Sequence, residues 1–529
     1  MLSRRLVLAF FIVGSFVGIG HALPMLNVIL DEQYFVGSVL RAIEMKSLLP
    51  IPGDVPYGTL TFYFNYVLQI PFLLILLAWK GFSIASLKAY LVLHPEVAYL
   101  APRFLSASIA SLVAILYERY LLSVGLSLVH RFAVLSVIFC TIIATLTLHT
   151  GKMWVLSMTL VAASALLLYI ALTKRDERAS FWSVVLSFAA FANFPFNGVF
   201  LLNVPILLYT YRADKDQLRK IFRGIAVGSV LLLAILAANL QTIYALIIQM
   251  LFPSGTATPP SFFSSFIFHS EQVLITFPLV LVVLGITLMI RAIENKLLFF
   301  LSLGYAALYL VAISIVVKWF TELGAQLHYL YPLAFFFSGA IAAIRYQTMR
   351  YILWGFCMLQ SIVFIYTLYL LSVPTTFNQA ASFIEKNLNG EHVLLVNDVT
   401  ELTLSLNKET SLLLKDGLCA SKCLYWREAA HDADFTSVVV TSQSEMHNVE
   451  TSRYNRIFLI TDQKPGESCL SGPIATFQGG ASDAGYVNAE YNLGHYFHPD
   501  FWHLDRLGKN LRLYAISHKC AERILSRME

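Results

Sequence analysis

A succession of apolar runs, joined by short connections that are alternately basic and almost free of positive charge, dictates what this chain can fold into. The runs are Leu6 to Leu26, Phe104 to Leu116, Phe132 to Leu148, Trp154 to Leu172, Phe181 to Ala192, Val199 to Tyr209, Ile225 to Leu240, Val273 to Ile290, Leu297 to Val317, Tyr329 to Ile344 and Tyr351 to Val373. Several fall short of the roughly 20 residues that a full helical crossing of a bilayer needs. With 57% hydrophobic and 13% charged residues in 529, the chain holds far more apolar sequence than a soluble core can bury. The apolar density collapses after Pro374, so two parts are expected: an all-α polytopic membrane domain over 1–373, and a small soluble α/β domain over 374–529. A net charge of +5, spread through short loops, does not argue for nucleic acid.

Sidedness follows from the basic connections. Arg4 and Arg5, Arg119 and Arg131, Lys174 to Arg178, Arg212 to Arg223, Arg291 and Lys296, and Arg345 and Arg350 occupy every second connection. The positive-inside rule puts these in the cytoplasm, and the remaining connections and the carboxyl-terminal domain outside, on a cell (plasma or inner) membrane. The stretch from Asp31 to Arg103 then begins and ends on the outer face. Leu60 to Trp79 is apolar enough to cross. Either it returns through Ile84 to Leu100, giving about thirteen spans, or it lies re-entrant or interfacial, giving about eleven. Arg4 and Arg5 before an apolar run resemble a signal peptide, but no small-residue cleavage site follows cleanly, so an uncleaved first span is expected.

This topology gathers Asp31, Glu32, Asp54, Arg103, His149, Lys152, Asn193, Asn197, His269, Glu271, Lys318, Glu322, Gln326 and His328 at or just beyond the outer boundary. A carboxylate pair there is costly near lipid and useful for what can reach it. Acids and cations at one level suit a transferase that draws on a lipid phosphate-sugar: a carboxylate takes the acceptor proton, and cations hold the departing phosphate. The sugar arrives activated, so no nucleotide loop is needed, and none is visible. Simpler roles stand beside these. Asp31 and Glu32 also suit the first turn of a helix running to Leu49. Arg103 also suits an interfacial anchor, His149 and Lys152 ordinary loop positions, and His328 with Tyr329 an interfacial pair.

Four short motifs, in order, carry a resemblance: Leu30-Asp31-Glu32 after the first span, Pro56-Tyr57-Gly58 in the outer loop, Arg103-Phe104-Leu105-Ser106 opening the next span, and His328 to Pro332. Over about Met1 to Val373 the chain resembles the GT-C membrane glycosyltransferases, in particular the bacterial relatives of protein O-mannosyltransferases and lipid A aminoarabinose transferases. The resemblance implies a GT-C-like fold and transfer of a sugar from a polyprenyl phosphate carrier to a lipid, glycan or protein acceptor. It implies Asp31 as the general base or its close partner, Glu32 beside it, Arg103 as a family arginine near the site, and His328-Tyr329 where the family often has Arg-Tyr; the outer-face constellation adds His149, Lys152 and Lys318 as candidate substrate-binding residues. Two departures stand out. The Lys-Pro-Pro or His-Pro-Pro element of the first outer loop is absent, and His149-Thr150-Gly151-Lys152 stands where several relatives place a second Asp. No cofactor is required, and a divalent metal stays open. The rival classes are a transporter or flippase of a lipid-linked glycan, whose charges should lie nearer the midplane, and a non-catalytic assembly subunit, which would tolerate loss of Asp31.

In the tail, a helix is expected over Ala380 to Leu388, and strands over His392 to Val396, Ser437 to Thr441, Arg456 to Thr461 and Leu511 to Ile516. Cys419, Cys423, Cys469 and Cys520 are an even set in an oxidising compartment, with Cys419–Cys423 and Cys469–Cys520 the preferred pairing of three, and free thiols the alternative. Cys140 and Cys357 lie in spans and read as core. His495, His498, His503 and Asp505 lack a rigid i, i+4 pair, so an aromatic segment lying on the membrane or over a groove is preferred there to a metal site. Thiol labelling of intact cells should reach single cysteines placed near Asn193 or Thr400 and miss those near Lys215; labelling at Lys215 from outside would overturn the topology.

Overall fold

The computed structural model describes the chain except for residues 1–3, 24–31, 52–54, 56–57, 238, 242–243, 245–247, 249–260, 317–326, 389–392, 400–401, 403–437, 442–450, 463–471, 480–501, 503 and 526–529. Helices dominate up to residue 372, and a sheet follows. Among the described residues five helices are long and apolar enough to cross a membrane: Thr59–Trp79 (α3), Glu96–Ser123 within Pro95–Ser123 (α5), Trp154–Lys174 (α8), Lys296–Ile315, and Tyr346 onward. Counting each of two sharply bent pairs as one span raises this to seven. Large apolar side chains on these helices face outward, Val67 at 71% and Ile75 at 69% exposure among them, a surface suited to lipid rather than water.

Among the described residues the count lies below the expected eleven to thirteen because some runs are broken by bends and others, such as Glu177–Asn193 and Pro332–Ala342, form helices too short to cross alone. The first helix, α1, covers only Arg4–Phe16, and the run continues as turns through residue 23, with Gly18 at φ +88°. Phe132 to Leu148 is split at Cys140 and Thr141 into Leu128–Phe139 (α6) and Ile142–Leu148 (α7), bent by 67°. Thr141 accepts from the Ala144 amide and so opens a new helix there. Phe262–Thr276 and Pro278–Met289 meet at 92°, since Pro278 has no N–H to continue the first helix.

The thirteen-span alternative is corrected. Ile84 to Leu100 is not one helix: Ile84–Leu93 (α4) ends at His94, the residue before Pro95, and α5 starts with that proline and runs 29 residues through Arg103. Ten residues of α4 reach about 15 Å, half the hydrocarbon thickness.

Two buried charge clusters mark opposite ends of α5. At one, Glu118 accepts from Arg131 Nη1 (2.7 Å) and Arg4 Nε (2.9 Å), gathering the start of α1, the end of α5 and the start of α6. At the other stands Arg103, 15 residues and about 22 Å up the helix. Glu177–Asn193 (α9) packs against α8 and against Lys215–Leu236 (α11), where Gly224 and Gly228 let the helices close. Between them Asn203, at the start of Asn203–Thr210 (α10), donates to the hydroxyls of Ser164, Ser183 and Ser187, and Tyr305 donates to its carbonyl oxygen.

Beyond the last long helix, Tyr346–Ser372, a five-stranded sheet has the order β2-β1-β3-β5-β4, with β1 Val393–Asn397, β2 Val438–Thr441, β3 Arg456–Thr461, β4 Ala475–Phe477 and β5 Leu511–Ile516. β1 is parallel to β2 and β3, and β5 runs antiparallel to β3 and β4. β1 is buried at every residue because both faces are covered. Val393 and Leu395 pack with Phe377, Ala380 and Ile384 of the helix Thr376–Asn387, and Leu394 and Val396 with Tyr514, Cys520 and Ala521. The four expected strands form within a residue or two, and β4, only three residues long, is additional. Cys520 is disulfide-bonded, Cys140 and Cys357 are free and buried, and Cys419, Cys423 and Cys469 lie outside the described residues.

A Cβ on Gly228 would come within 2.6 Å of the Phe188 ring. Gly228→Val should therefore lower stability by about 1–3 kcal/mol through overpacking, seen as a reduced melting temperature of the detergent-solubilised chain, whereas Gly285→Ala, with open space around it, should leave the melting temperature near wild type.

Candidate functional site

The connection from His149 to Trp154 gathers the segments that the sequence singles out. At its centre, Glu32, which opens Glu32–Glu44 (α2), binds Arg103 through both oxygens: Arg103 Nε donates to Oε1 at 2.7 Å and Nη2 to Oε2 at 2.6 Å. The Gly151 amide donates to the same Oε1 at 2.6 Å. Arg103 Nη1 donates to the carbonyls of Ile19 (2.8 Å) and His21 (2.7 Å) in the turn after α1. Both side chains are 1% exposed. A planar guanidinium matches a carboxylate with two parallel bonds, which offsets the desolvation of two buried charges.

Gly151 packs closely here: a Cβ would lie 3.0 Å from Pro102 and 3.1 Å from Glu32 Oε1, so these neighbours would have to give way by a few tenths of an ångström. Within His149 to Lys152 the chain meets Glu32 with a backbone amide. His149 is buried with Nδ1 against the Thr145 carbonyl and Nε2 3.0 Å from the Gly14 carbonyl, which ties the connection to α1. Lys152 is buried and engaged.

Pro56-Tyr57-Gly58 reaches the same place through its glycine. Gly58 has φ +75°, and a Cβ on it would strike the Phe35 ring and the Met153 side chain, so only glycine fits. Its amide donates to the Asn193 carbonyl at 2.8 Å, while Asn193 Oδ1 accepts from the Thr61 amide and hydroxyl at 3.0 and 2.9 Å. His328 belongs to the short 3-10 turn Leu327–Leu330. Tyr329, next to it, stacks on Phe194 at 6.1 Å between ring centroids and meets the edge of Trp154 at 5.5 Å, and its carbonyl accepts from Tyr309.

Other expected positions are scattered. Asn197 donates to Ser157 and to the Ala190 carbonyl, His269 turns back on the Ser265 carbonyl, and Glu271 is exposed. Asp31, Asp54, Lys318, Glu322, Gln326 and the side chain of His328 lie outside the described residues. Of the Asp31, Arg103 and His328 side chains, that of Arg103 alone is described, and it is committed to Glu32 and the turn carbonyls. Sequence reasoning missed Gly151 as a ligand of Glu32 and the role of Asn193 as the clasp on Gly58. A glycine inside a polar tetrapeptide was the available signal for the first.

Among the described residues no group of three or more His, Cys, Asp or Glu side chains is placed to hold a metal ion. Around the aromatic segment, His495, His498 and His503 are outside the described residues, while Trp502 stacks on Tyr366 at 5.4 Å and Tyr366 donates to the Leu504 carbonyl at 2.8 Å. In the sheet, burial raises the pKa of Asp398 at the end of β1, and Asp462 adds to this, against a bond from Thr461 and the charge of Lys509. No protein-family model matches the chain, and no curated protein matches it.

Removing one partner strands the other as a buried charge. Arg103→Met should cost about 3–5 kcal/mol and cut the yield of folded protein severely, while the double variant Glu32→Met/Arg103→Met should recover much of that loss. Melting temperatures and the monodisperse fraction on size exclusion measure both; a double variant worse than the sum of the singles would refute the pairing.

Proposed function

We propose that this chain is an integral membrane glycosyltransferase that moves a sugar from a polyprenyl phosphate carrier to a lipid, glycan or protein acceptor at the outer face of the membrane. One observation carries the reading. The segments that hold the four motifs of the GT-C resemblance, at residues 30–32, 56–58, 103–106 and 328–332, come together on the connection from His149 to Trp154: through Glu32, Gly58, Arg103 and Tyr329. The other expected constellation members, Asn197, His269 and Glu271, have no such meeting point.

The division of labour changes from the one the resemblance implies. Glu32 and Arg103 bind each other and act as positioning residues, since together they fix the start of α2 against α5 and the turn after α1. Asp31, one residue before this anchor, takes the acceptor's hydroxyl proton. The acceptor oxygen attacks the anomeric carbon as the bond from that carbon to the carrier phosphate breaks, and the phosphate leaves with the bonding pair, giving inversion. Lys152, Lys318 and His328 are the cationic candidates for holding it.

Asp31→Asn keeps size and removes the basic oxygen. A folded variant should lose transfer by roughly 100-fold or more, with carrier binding retained. The assay is radiolabelled sugar transfer from polyprenyl phosphate donors in proteoliposomes. Unchanged transfer would move the base elsewhere, and carrier translocation without a new glycosidic bond in wild type would replace the enzyme by a flippase.

A further inference from the structure

Helix α3 has the length and hydropathy of a membrane crossing, yet its neighbours put it elsewhere. The two membrane boundaries are marked by α8, whose 21 residues reach about 31 Å, close to one hydrocarbon thickness. Glu32 and Arg103 stand at the Trp154 end of α8, because Glu32 accepts from the Gly151 amide just before that helix begins. Beside α8 runs α5, which covers about 30 Å from Arg103 to its last residue, Ser123. The part of α5 from Pro95 to Pro102 therefore projects about 12 Å past the Arg103 boundary. Pro102 can bend this helix but does not reverse it.

The middle of α3 lies beside that projection. Gln69 donates to the Ala98 carbonyl at 3.5 Å, and Leu73 and Leu76 pack with Leu91, Ala98 and Tyr99. Gly58, just before α3, packs on Met153 at the boundary. A helix crossing from there would carry Gln69 about 15 Å down, to the bilayer centre, and Leu76 towards the far face. Both instead sit on the side of Arg103 away from Glu118.

The polarity of α3 is inverted. Thr61, Asn65, Tyr66 and Gln69 are buried against the protein, where α2 and the head of α5 cover them. The free side is an apolar stripe at three- and four-residue spacing through Phe64, Val67, Pro71, Leu74 and Ala78, all exposed. Past the helix end the stripe continues into Phe82, 76% exposed. There Lys80 Nζ lies 4.0 Å from the Trp79 ring centroid and 3.8 Å from that of Tyr90. An ammonium between two aromatic rings beside an apolar face suits a membrane interface.

We propose that α3 does not cross but lies on the bilayer surface at the Arg103 face, as a docking surface for lipid, with its stripe sunk into the boundary between headgroups and acyl chains. Continuity names the occupant: the exposed apolar wall carries on down α5 through Phe104, Leu112 and Leu116. This placement asks no crossing of the ten-residue α4, and it holds the Glu32 and Arg103 pair at headgroup level. It needs no transfer chemistry.

Sidedness is read from three cysteine variants of the full chain, with wild type as background. Gly20→Cys lies in the turn that Arg103 grips, with open space around it, Ser86→Cys is exposed on α4, and Ser123→Cys is exposed at the other end of α5. A membrane-impermeant maleimide should label Gly20→Cys and Ser86→Cys in one preparation, intact cells or inverted vesicles, and Ser123→Cys in the other. Labelling of Ser86→Cys together with Ser123→Cys would mean that α3 crosses, and protection of Ser86→Cys in both would mean a re-entrant loop; either result overturns the proposal. Depth is read from a nitroxide on Val67→Cys in phosphatidylcholine nanodiscs, by power saturation with oxygen and a nickel chelate. The label should report about 5–10 Å below the headgroups. A position at the bilayer centre, about 15 Å into the hydrocarbon, also overturns it. So does readier access for the nickel chelate than for oxygen, which would mark a face open to water or covered by protein. Failure of the Asp31 experiment leaves both readouts untouched.

Discussion

The bidentate pair of Glu32 with Arg103 is the interaction on which the candidate site depends. It joins the first residue of α2 to the first third of α5, reaches the turn after α1 through two carbonyls, and takes a backbone amide from Gly151. Two charges at 1% exposure are tolerable only when both oxygens and most guanidinium protons are bonded, and this arrangement meets that demand. The same demand explains why an arginine opens an apolar run and why a glycine stands beside a lysine far along the chain.

Irregular backbone surrounds this pair, and it is placed where the partners compensate for it. Gly18, Ala22 and Gly58 all have positive φ, and all lie within segments that Arg103, Asn378 or Asn193 fasten. Buried irregular backbone survives only when protein satisfies its polar groups. Here side-chain amides and one guanidinium do so. The sharp bends at Thr141 and Pro278 follow the same logic, since each new helix opens with a side-chain cap or with a residue that has no N–H to satisfy.

Much of the helical part was legible from apolar length, because Leu60 to Trp79, Trp154 to Leu172 and Leu297 to Ile315 each become one long helix. Runs interrupted by a cap-forming Thr or a Pro were not, since hydropathy averages over the break that Thr141, Pro278 or Pro95 imposes. The sheet strands were legible because fully buried parallel strands are continuous apolar runs such as Val393 to Val396. At the site, residue types were readable and partnerships were not. Glu32 and Arg103 are 71 positions apart, and nothing in either segment says that each is the other's ligand. Gly58 and Gly151 carry their meaning in what a Cβ would strike, which only the fold reveals.

The long helix α5 has a further mechanical consequence. It is cross-braced to the first helix by Glu118 to Arg4 near one end, and to the turn that follows that helix by Arg103 to the Ile19 and His21 carbonyls near the other. A rod fixed to its neighbour at two points about 22 Å apart resists tilting and sliding alike, because a one-turn shift would break both joints together. Alternating access needs two bodies that rock about a central site. These two helices therefore belong to one body, and any large movement in a working cycle falls to the helices beyond them.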